Sequence, residues 1–457
     1  MTKEESNFGL SQSERTRLLD RLKGSLAGAV KRPAPLSAIS KDPWEAFAQS
    51  DSCRQMDIIR RASAILGIDN PYFRVHDGIA GPETVIDGKS YLNFSSYNYL
   101  GFNGHPRVVA AAKAAIDRYG TSCSASRLVA GERPLHRELE ERLARLHKTE
   151  DCVAFVSGHA TNVTVIGNLL GKADLILCDS AIHNSIQQGA QLAGARRLVF
   201  PHNDVAAAER LLAEHRARCG NALVAVEGHY SMDGDVPDLP AFSALARRHG
   251  AWLLVDEAHA LGVLGARGRG TAEHFGLDGS AADLWMGTLS KTFAGCGGYM
   301  ACRHRVAEFL RYSSPGFVYS VGIPPPVAAA ACAALDLLLE EPERVAALNA
   351  NAQAFLDGAR AAGLDTGSSQ GFAIVPIMLG SSIAAARLSA ALFRRGINVQ
   401  PILYPAVPER AARLRFFLSS EHRREQIDTT LAIVTEETAK VRALKVDFAA
   451  VAAMLSR

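Results

Sequence analysis

The 457-residue chain contains no uninterrupted apolar run approaching the ~20 residues that a membrane-spanning helix needs. The first residues, MTKEESNFGL, are polar and of mixed charge, so we expect no secretory signal and a cytoplasmic protein. The formal net charge is only +3 and Lys and Arg form no long run, which argues against a nucleic-acid partner. No internal repeat or low-complexity tract is evident.

The eight cysteines are scattered, and no two of them have CxxC spacing. This pattern predicts free thiols in a reducing compartment and no metal site. With 48% hydrophobic and 21% charged residues, the composition is ordinary for a globular protein. The length allows one large domain and one or two smaller ones.

We divide the chain into an N-terminal extension (1–50), an N-terminal segment (51–105), a large domain (106–340) and a small C-terminal domain (341–457). Within the extension, residues 11–26 have the pattern of a basic amphipathic helix that a proline-containing stretch ends. We assign the extension no catalytic role and expect a packing arm or a docking element.

Short apolar runs alternate with helical patterns through the large domain. Helical spacing predicts helices over 107–119 and 135–146 and a helical region from 324 to about 362. Because short apolar runs suit strands covered on both faces, the alternation predicts an α/β fold with a mostly parallel central sheet flanked by helices. The predicted strands are 152–156, 175–178, 197–200, 222–226, 252–255 and 284–286, with 374–378 and 415–418 in an α+β C-terminal domain.

Ligands of open parallel sheets bind at the carboxyl ends of the strands, and side chains with useful chemistry follow several predicted strands. Ser157, Gly158 and His159 follow the first strand at a helix start, which suits either a phosphate or an ordinary N-cap. His183 follows the second strand and is suited to stack on a heteroaromatic ring, a buried or solvent-facing histidine being the alternative. Ser231 follows 222–226 as a possible donor to a cofactor oxygen.

The last two strand ends of the large domain carry Asp256-Glu-Ala-His259 and Gly287-Thr-Leu-Ser-Lys291. A lysine behind an acid is what pyridoxal 5′-phosphate (PLP) requires: the amine forms a Schiff base and the acid keeps the pyridine nitrogen protonated. His259 would reach the phenolic side of the same ring, and Thr288 adds a hydroxyl. Taken alone, Lys291 is better explained as a solvated loop lysine, but the combined strand ends favour a PLP site.

Together these residues resemble the α-oxoamine synthase family of fold-type I PLP enzymes. That family includes 8-amino-7-oxononanoate synthase, 2-amino-3-ketobutyrate ligase, 5-aminolevulinate synthase and serine palmitoyltransferase. The resemblance covers about residues 55–445. It is carried by the stretches 93–101, 227–234, 256–262, 268–270 and 287–291.

The resemblance implies a decarboxylating Claisen-type condensation of glycine, alanine or serine with an acyl thioester of coenzyme A or of an acyl carrier protein. It implies Lys291 as Schiff-base lysine and general acid/base, with Asp256 on the pyridine nitrogen and His183 stacked on the ring. Ser231 and His259 would contact the phenolic oxygen.

The resemblance also implies a homodimer with shared active sites. The residues implied for the phosphate are Ser157, Gly158, His159 and Thr288, with Ser320 from a second subunit. His159 departs from the family, which usually has Phe or Tyr there.

On the substrate side, residues 412–415 match the stretch that carries the family's substrate-carboxylate arginine. We expect Arg415 in this role with Arg413 as the alternative, because a guanidinium binds a carboxylate bidentately. Tyr97 and Asn98 are further candidate substrate contacts. Tyr97 stands where the family often has Asn and gives a serine palmitoyltransferase-like motif, whereas residues 120–136 look more like synthases of polyketide pathways.

Other functions stay open at this point. Another fold-type I PLP enzyme, such as an aminotransferase, would use the same lysine and acid without a thioester. A catalytically inactive subunit of a synthase heterodimer would be expected to lack Lys291. A non-enzymatic binding module has only the N-terminal extension in its favour.

Overall fold

The computed structural model describes residues 42–444. Most of the N-terminal extension, including the predicted helix over 11–26, lies outside the described residues, as do residues 445–457. The strands are β1 His76–Asp77, β2 Glu83–Ile86, β3 Lys89–Asn93, β4 Asp151–Phe155, β5 Leu175–Asp179, β6 Arg196–Phe200, β7 Ala222–Glu227, β8 Trp252–Asp256, β9 Leu284–Thr288, β10 Gly298–Cys302, β11 Ile374–Met378, β12 Ile397–Asn398, β13 Pro401–Ile402 and β14 Arg413–Phe417.

α-Helices lie before, between and after these strands, and several pack against the central sheet. They are α1 Pro43–Ala48, α2 Asp51–Ile65, α3 Pro106–Tyr119, α4 Pro134–His147, α5 Gly158–Leu169, α6 Asn184–Ala193, α7 Val205–His215, α8 Leu239–Arg248, α9 Thr271–His274, α10 His304–Ser313, α11 Pro315–Val318, α12 Pro325–Glu340, α13 Glu343–Ala361, α14 Ser382–Arg394 and α15 Arg424–Ala443.

The central sheet has seven strands in the order β4-β10-β9-β8-β7-β5-β6. Neighbouring strands from β9 to β6 pair in parallel, and only β10 runs antiparallel to both of its neighbours. The predicted α/β fold with a mostly parallel sheet is therefore confirmed. All six strands predicted in the large domain are present, each within two residues of its predicted ends.

Alternate residues of the sheet strands face two different hydrophobic clusters. Leu175 and Leu177 of β5 belong to one cluster, whereas Ile176 and Cys178 belong to the other. Because both faces are covered, β5, β7 and β9 are buried along their whole length, which explains their continuous apolar sequences.

The C-terminal part contains a three-stranded antiparallel sheet, β11-β14-β13, with α13, α14 and α15 packed nearby. The helical region expected from 324 to about 362 is two helices, which meet at Glu341 and Pro342. Proline explains the break, because it has no backbone N–H to donate within a helix. A division of the chain near residue 340 is compatible with this break and stays a prediction.

The N-terminal segment shares a sheet with the C-terminal part, which the sequence did not predict. In the sheet β1-β2-β3-β12, Ile397 and Asn398 pair in parallel with Leu92 and Asn93. The side-chain amide of Asn398 also donates to Asn93 Oδ1 at 3.0 Å. This sheet places the loop that follows β3 above the carboxyl ends of the central strands.

Candidate active site

The carboxyl ends of the central strands and the helix starts that follow them enclose one cleft. Its lining includes seven of the predicted site residues, Gly158, His159, His183, Asp256, His259, Thr288 and Lys291, together with Asn162, Ser185, Glu227, Ala258 and Met286. Of the other predicted cofactor contacts, Ser157, Ser231 and Ser320 do not line it. The structure thus brings together residues that lie up to 133 positions apart in the sequence, from Gly158 to Lys291.

Lys291 occupies the centre of the cleft, in the turn after β9. Burial lowers the pKa of its amine to about 8, with Arg415 acting in the same direction and Asp256 and Glu227 opposing it. Its Nζ lies 5.6 Å from the centre of the Tyr97 ring. A lowered pKa increases the fraction of neutral, nucleophilic amine near neutral pH, which a carbonyl-binding lysine needs.

Asp256 is the last residue of β8 and is almost fully buried. Its Oδ2 accepts a hydrogen bond from the Asn162 side-chain amide at 2.9 Å, and its Oδ1 accepts from the Ala258 backbone N–H at 3.0 Å. The Asn162 amide also donates to Ser185 Oγ at 3.0 Å. These donors fix the carboxylate and support its negative charge, as a partner for a protonated ring nitrogen requires.

Asn162 holds Asp256 in place, a role that the sequence analysis did not predict. It lies one turn into α5, and the sequence gives no sign that this turn faces Asp256. The contact depends on the packing of α5 against the sheet.

Two histidines lie beside Lys291, and each is held by a hydroxyl. His183 Nδ1 is 2.7 Å from Ser185 Oγ, and His259 Nδ1 is 2.7 Å from the buried Tyr99 hydroxyl. Burial lowers the pKa of His183, with Lys291 adding to this shift and Asp256 opposing it. Burial, reinforced by Lys291 and Arg415, holds the pKa of His259 well below its usual range. Both rings are therefore neutral near pH 7.

The start of α5 forms a close cradle beside β9 and β10. Ser157 is the N-cap of this helix, and its Oγ accepts from the Ala160 N–H at 3.3 Å. A Cβ on Gly158 would lie 2.9 Å from Thr288 Oγ1, and a Cβ on Gly298 would lie 2.5 Å from Gly158 Cα. The N-terminus of α5 and the Thr288 side chain thus meet where there is no room for a Cβ, an arrangement that suits a phosphate.

These features fit PLP. The glycine cradle would hold the phosphate, Asp256 the pyridine nitrogen and Lys291 the aldehyde carbon. Ser157 caps the helix, which was the alternative to its predicted phosphate contact, and that contact stays a prediction.

Glu227 is a second residue of the cleft for which the sequence analysis predicted no role, although it begins the stretch 227–234 that carries the resemblance. It is the last residue of β7, pairs in register with Asp256 and is 3% exposed. Its Oε2 accepts from the Ser231 N–H at 3.2 Å, whereas Oε1 has no hydrogen-bond partner. Burial raises the pKa of Glu227 to about 8, with nearby Asp256 acting in the same direction. An unpartnered buried polar atom of this kind costs about 1–3 kcal/mol.

The two candidate substrate arginines lie on the same strand but have different surroundings. Arg413 is buried and donates to Asp233 Oδ1 and, at 3.0 Å, to the Met232 carbonyl. Arg415 donates through Nη1 to the Ser231 carbonyl at 2.8 Å, and its Nε has no partner. Arg415 therefore retains donors for a ligand, whereas Arg413 is used in a structural ion pair.

Asn98 and Tyr97 lie in the loop after β3. The Asn98 amide donates to the Ala80 carbonyl at 2.8 Å, and its Oδ1 accepts from the Asn103 N–H at 3.0 Å, so the side chain is engaged in holding the loop. The Tyr97 ring packs edge-on against Phe417, with 4.9 Å between ring centres. A chamber of about 400 Å³ lies between this loop and the turn after β9, and Lys291 lines both the chamber and the cleft.

Within residues 42–444, no group of three or more His, Cys, Asp or Glu side chains is arranged to hold a metal ion. In the same part of the chain, no helix is long and apolar enough to cross a membrane.

Comparisons with known proteins agree with this geometry. Residues 89–434 match the family described as aminotransferase class I and II. An 8-amino-7-oxononanoate synthase from Geobacter sulfurreducens is 43% identical over 358 residues, which is 78% of this chain and 90% of that protein. The 4-hydroxy-2,2′-bipyrrole-5-methanol synthase PigH from Serratia sp. is 39% identical over 353 residues. The match covers 77% of this chain but only 54% of PigH, so the chain spans about half the length of that relative.

A solved structure of serine palmitoyltransferase from S. paucimobilis, with PLP and myriocin bound, superposes with a TM-score of 0.83. It is 32% identical, and the superposition covers 88% of this chain and 100% of that one. Fold and site therefore define a PLP-dependent enzyme of fold type I. Within that class, the chain belongs to the α-oxoamine synthase family, whose PLP-dependent acyl transfer joins an amino acid to an acyl thioester with loss of carbon dioxide.

Proposed function

We propose that this chain condenses a small amino acid, namely glycine, alanine or serine, with the acyl group of a coenzyme A or carrier-protein thioester. The α-carbon of the amino acid loses a proton and its carboxyl group, the latter as carbon dioxide. The same carbon forms a bond to the acyl carbon, and the thiol leaves. The observation that carries this proposal is the position of Lys291, which lines both the cofactor cleft and the outer chamber.

The residues of the cleft divide the chemistry among them. PLP, when bound, accepts the electron pair left at the α-carbon. Asp256, held by Asn162 and Ala258, keeps the ring nitrogen protonated. Lys291 removes the α-proton and returns a proton after the new bond has formed, and such general acid/base catalysis is worth ~10²–10⁴ in rate. His183 would pack on the ring, and His259, held in place by the Tyr99 hydroxyl, would contact its phenolic oxygen.

Arg415 is proposed as the residue that binds the carboxylate of the amino acid. Its unpartnered Nε and its electrostatic effect on Lys291, whose pKa it lowers, support this role. Anchoring the carboxylate fixes which bond at the α-carbon is aligned for cleavage, and a guanidinium is suited to this task.

A small amino acid is favoured because aromatic rings crowd the space beside Lys291. The Tyr97 ring packs on Phe417 and lies 5.8 Å from the His259 ring, centre to centre. The chamber of about 400 Å³, which Tyr97 and Lys291 both line, would receive the acyl group and its thioester.

A homodimer is proposed from an exposed apolar patch formed by Leu128, Val129, Tyr319 and Val321. Tyr319 is 87% exposed and Val129 is 82% exposed, which is unusual for large apolar side chains. Ser320 lies within this patch and outside its own cleft, as expected of a residue that contributes to the cleft of a partner. All eight cysteines are free, which supports a reducing, cytoplasmic location.

The test is release of free thiol from acyl-CoA with glycine, alanine and serine in turn. We expect one of the three to support release many times faster than the others, in proportion to product. Formation of a 2-oxo acid without thiol release would instead identify an aminotransferase.

A further inference from the structure

The proposed reaction leaves one buried acid of the cleft without a function. Glu227 stands at the end of β7, directly beside Asp256 in the sheet, and lines the cleft together with Lys291. Its Oε2 is held by the Ser231 N–H, while Oε1 is buried and has no partner within the described part of the chain.

The surroundings of Glu227 disfavour a charged carboxylate. The Glu227 side chain is 3% exposed. A negative charge is better stabilised on the neighbouring Asp256, because two hydrogen-bond donors contact that carboxylate. One backbone N–H is the only hydrogen-bond donor to Glu227 that the structure records. Burial and Asp256 raise the pKa of Glu227 to about 8, in agreement with this geometry.

A neutral acid has a hydrogen to donate, and the unpartnered oxygen is where it would be used. The carboxyl group of Glu257, one residue beyond Asp256, offers a contrast within the same sheet edge. Glu257 is equally buried, but both of its oxygens accept from the Thr271 N–H at 3.1 Å, and it does not line the cleft. Of these two glutamates, only Glu227 combines burial, a free oxygen and a position on the cleft.

We propose that Glu227 is a further cofactor-binding residue, a neutral carboxylic acid whose Oε1 donates a hydrogen bond to PLP. This inference rests on PLP as the cofactor but not on the identity of the amino acid or thioester. Asp256 and Glu227 then form an acid pair at adjacent strand ends with opposite protonation states. One acid carries the charge that the ring nitrogen needs, and the other supplies a hydrogen without adding charge beside Lys291.

Two variants of the holoenzyme test whether Glu227 is a neutral hydrogen-bond donor, a charged carboxylate or a side chain without contact to PLP. In Glu227→Gln the amide nitrogen replaces the acid donor and the amide oxygen keeps the Ser231 contact, so PLP affinity should stay within about threefold of wild type. In Glu227→Leu both contacts are lost, and PLP should bind about tenfold or more weakly. The affinity is measured by dialysing holoenzyme against PLP solutions of known concentration, without amino acid or thioester.

The pH dependence of the visible absorption of bound PLP provides a second readout, which needs only Glu227→Gln to fold. Replacing a neutral acid by a neutral amide should leave the pH midpoint unchanged, whereas removing a negative charge should lower it by about one unit. Glu257→Gln is the matched control and should leave both readouts unchanged.

Wild-type PLP affinity in a folded Glu227→Leu variant, or a lowered midpoint in Glu227→Gln, would overturn the proposal. Failure of the proposed condensation would leave these measurements unaffected, so the two proposals fail independently.

Discussion

Arg413 and Arg415 lie two residues apart on one strand, so their side chains leave the same face of the sheet. Their roles differ because of what they meet there: Asp233 and a carbonyl engage Arg413, whereas Arg415 keeps an unpartnered Nε. The guanidinium of Arg415 also lies over the Phe417 ring, 4.6 Å from its centre, which limits its freedom.

We predict that Arg415→Lys raises KM for the amino acid by about 10–100-fold, because a charge-assisted bidentate contact is lost. KM for the acyl thioester should change little. Arg413→Lys serves as the matched control and should lower the thermal unfolding midpoint instead, since it weakens the buried contact to Asp233. Equal KM effects of the two variants would contradict the assignment.

The sequence indicated which side chains lie near strand ends, but not which hydrogen-bond partners those side chains have. Lys291, Asp256, His183 and His259 lie within about five residues of the ends of apolar runs, and their clustering follows from a parallel sheet. The role of Glu227 depends on its register beside Asp256, and strand register is a tertiary property.

At the scale of elements, the start of α5 is constrained by the two strands beside it. Gly158 packs so closely against Thr288 that an added Cβ would lie 2.9 Å from Oγ1 and 3.2 Å from the threonine Cβ. The phosphate cradle and the strand ends therefore form one rigid unit.

We expect Gly158→Ala to weaken PLP binding by about tenfold or more, since the new methyl group displaces Thr288 or the helix start. Alanine itself favours a helix over glycine, so secondary structure should be retained. Gly171→Ala, just after the same helix, is the control, because its Cβ would approach no atom closer than 4.0 Å. Dialysis against PLP measures both, and unchanged affinity in Gly158→Ala would refute the cradle.

A second set of contacts, made by His202, connects the end of β5 to the loops that follow β6 and β7. Its Nδ1 lies 2.9 Å from Asp179 Oδ1, and its Nε2 lies 2.9 Å from Asp235 Oδ2. Burial alone would lower the pKa of His202, but the hydrogen bonds to Asp179 and Asp235 outweigh it and raise the pKa to about 10.

Because the folded-state pKa is raised, this stabilisation is complete below the unfolded pKa of about 6.5 and is lost as the pH rises through about 10. His202→Gln should therefore lower the free energy of unfolding by about 1–3 kcal/mol at pH 6 and by progressively less toward pH 10. Urea unfolding of both proteins at several pH values measures the difference. A difference that grows with pH would be inconsistent with the charged bridge.

Elements with continuous apolar sequences were predictable, whereas elements fixed by their neighbours were not. Strand β10 was missed because Gly298-Tyr-Met-Ala-Cys302 follows a glycine-rich turn and its antiparallel place between β4 and β9 is a tertiary feature. The two-residue strand β12 has no sequence signal of its own and exists because β3 lies beside it.

The exposed apolar patch of Leu128, Val129, Tyr319 and Val321 is the surface through which we expect two copies of the chain to associate. The short helix α11, which precedes Tyr319, packs against both α5 and the turn over Arg127–Gly131. The patch is thus rigidly connected to the helix that begins at the cofactor cradle.

We predict that the protein is a dimer in solution and that Val129→Asp together with Val321→Asp yields a monomer with much reduced PLP affinity. Charged side chains would oppose burial of this patch, and the partner's contribution to each cleft would be lost. Val199→Asp is the control, because it places the same charge at an exposed apolar residue of the edge strand β6, outside the patch. The Val199→Asp protein should remain a dimer. Sedimentation equilibrium gives the mass, and a monomeric wild-type protein with full activity would rule out shared sites.

The fate of the carboxyl carbon of the amino acid distinguishes a decarboxylating condensation from transamination. Purified enzyme is supplied with carboxyl-labelled glycine, alanine or serine and an acyl-CoA, and labelled carbon dioxide and free thiol are counted together. We predict that one amino acid gives carbon dioxide and thiol in equal amounts, only when both substrates are present, and that Lys291→Ala abolishes both. Retention of the label in a 2-oxo acid, with the thioester intact, would contradict the account.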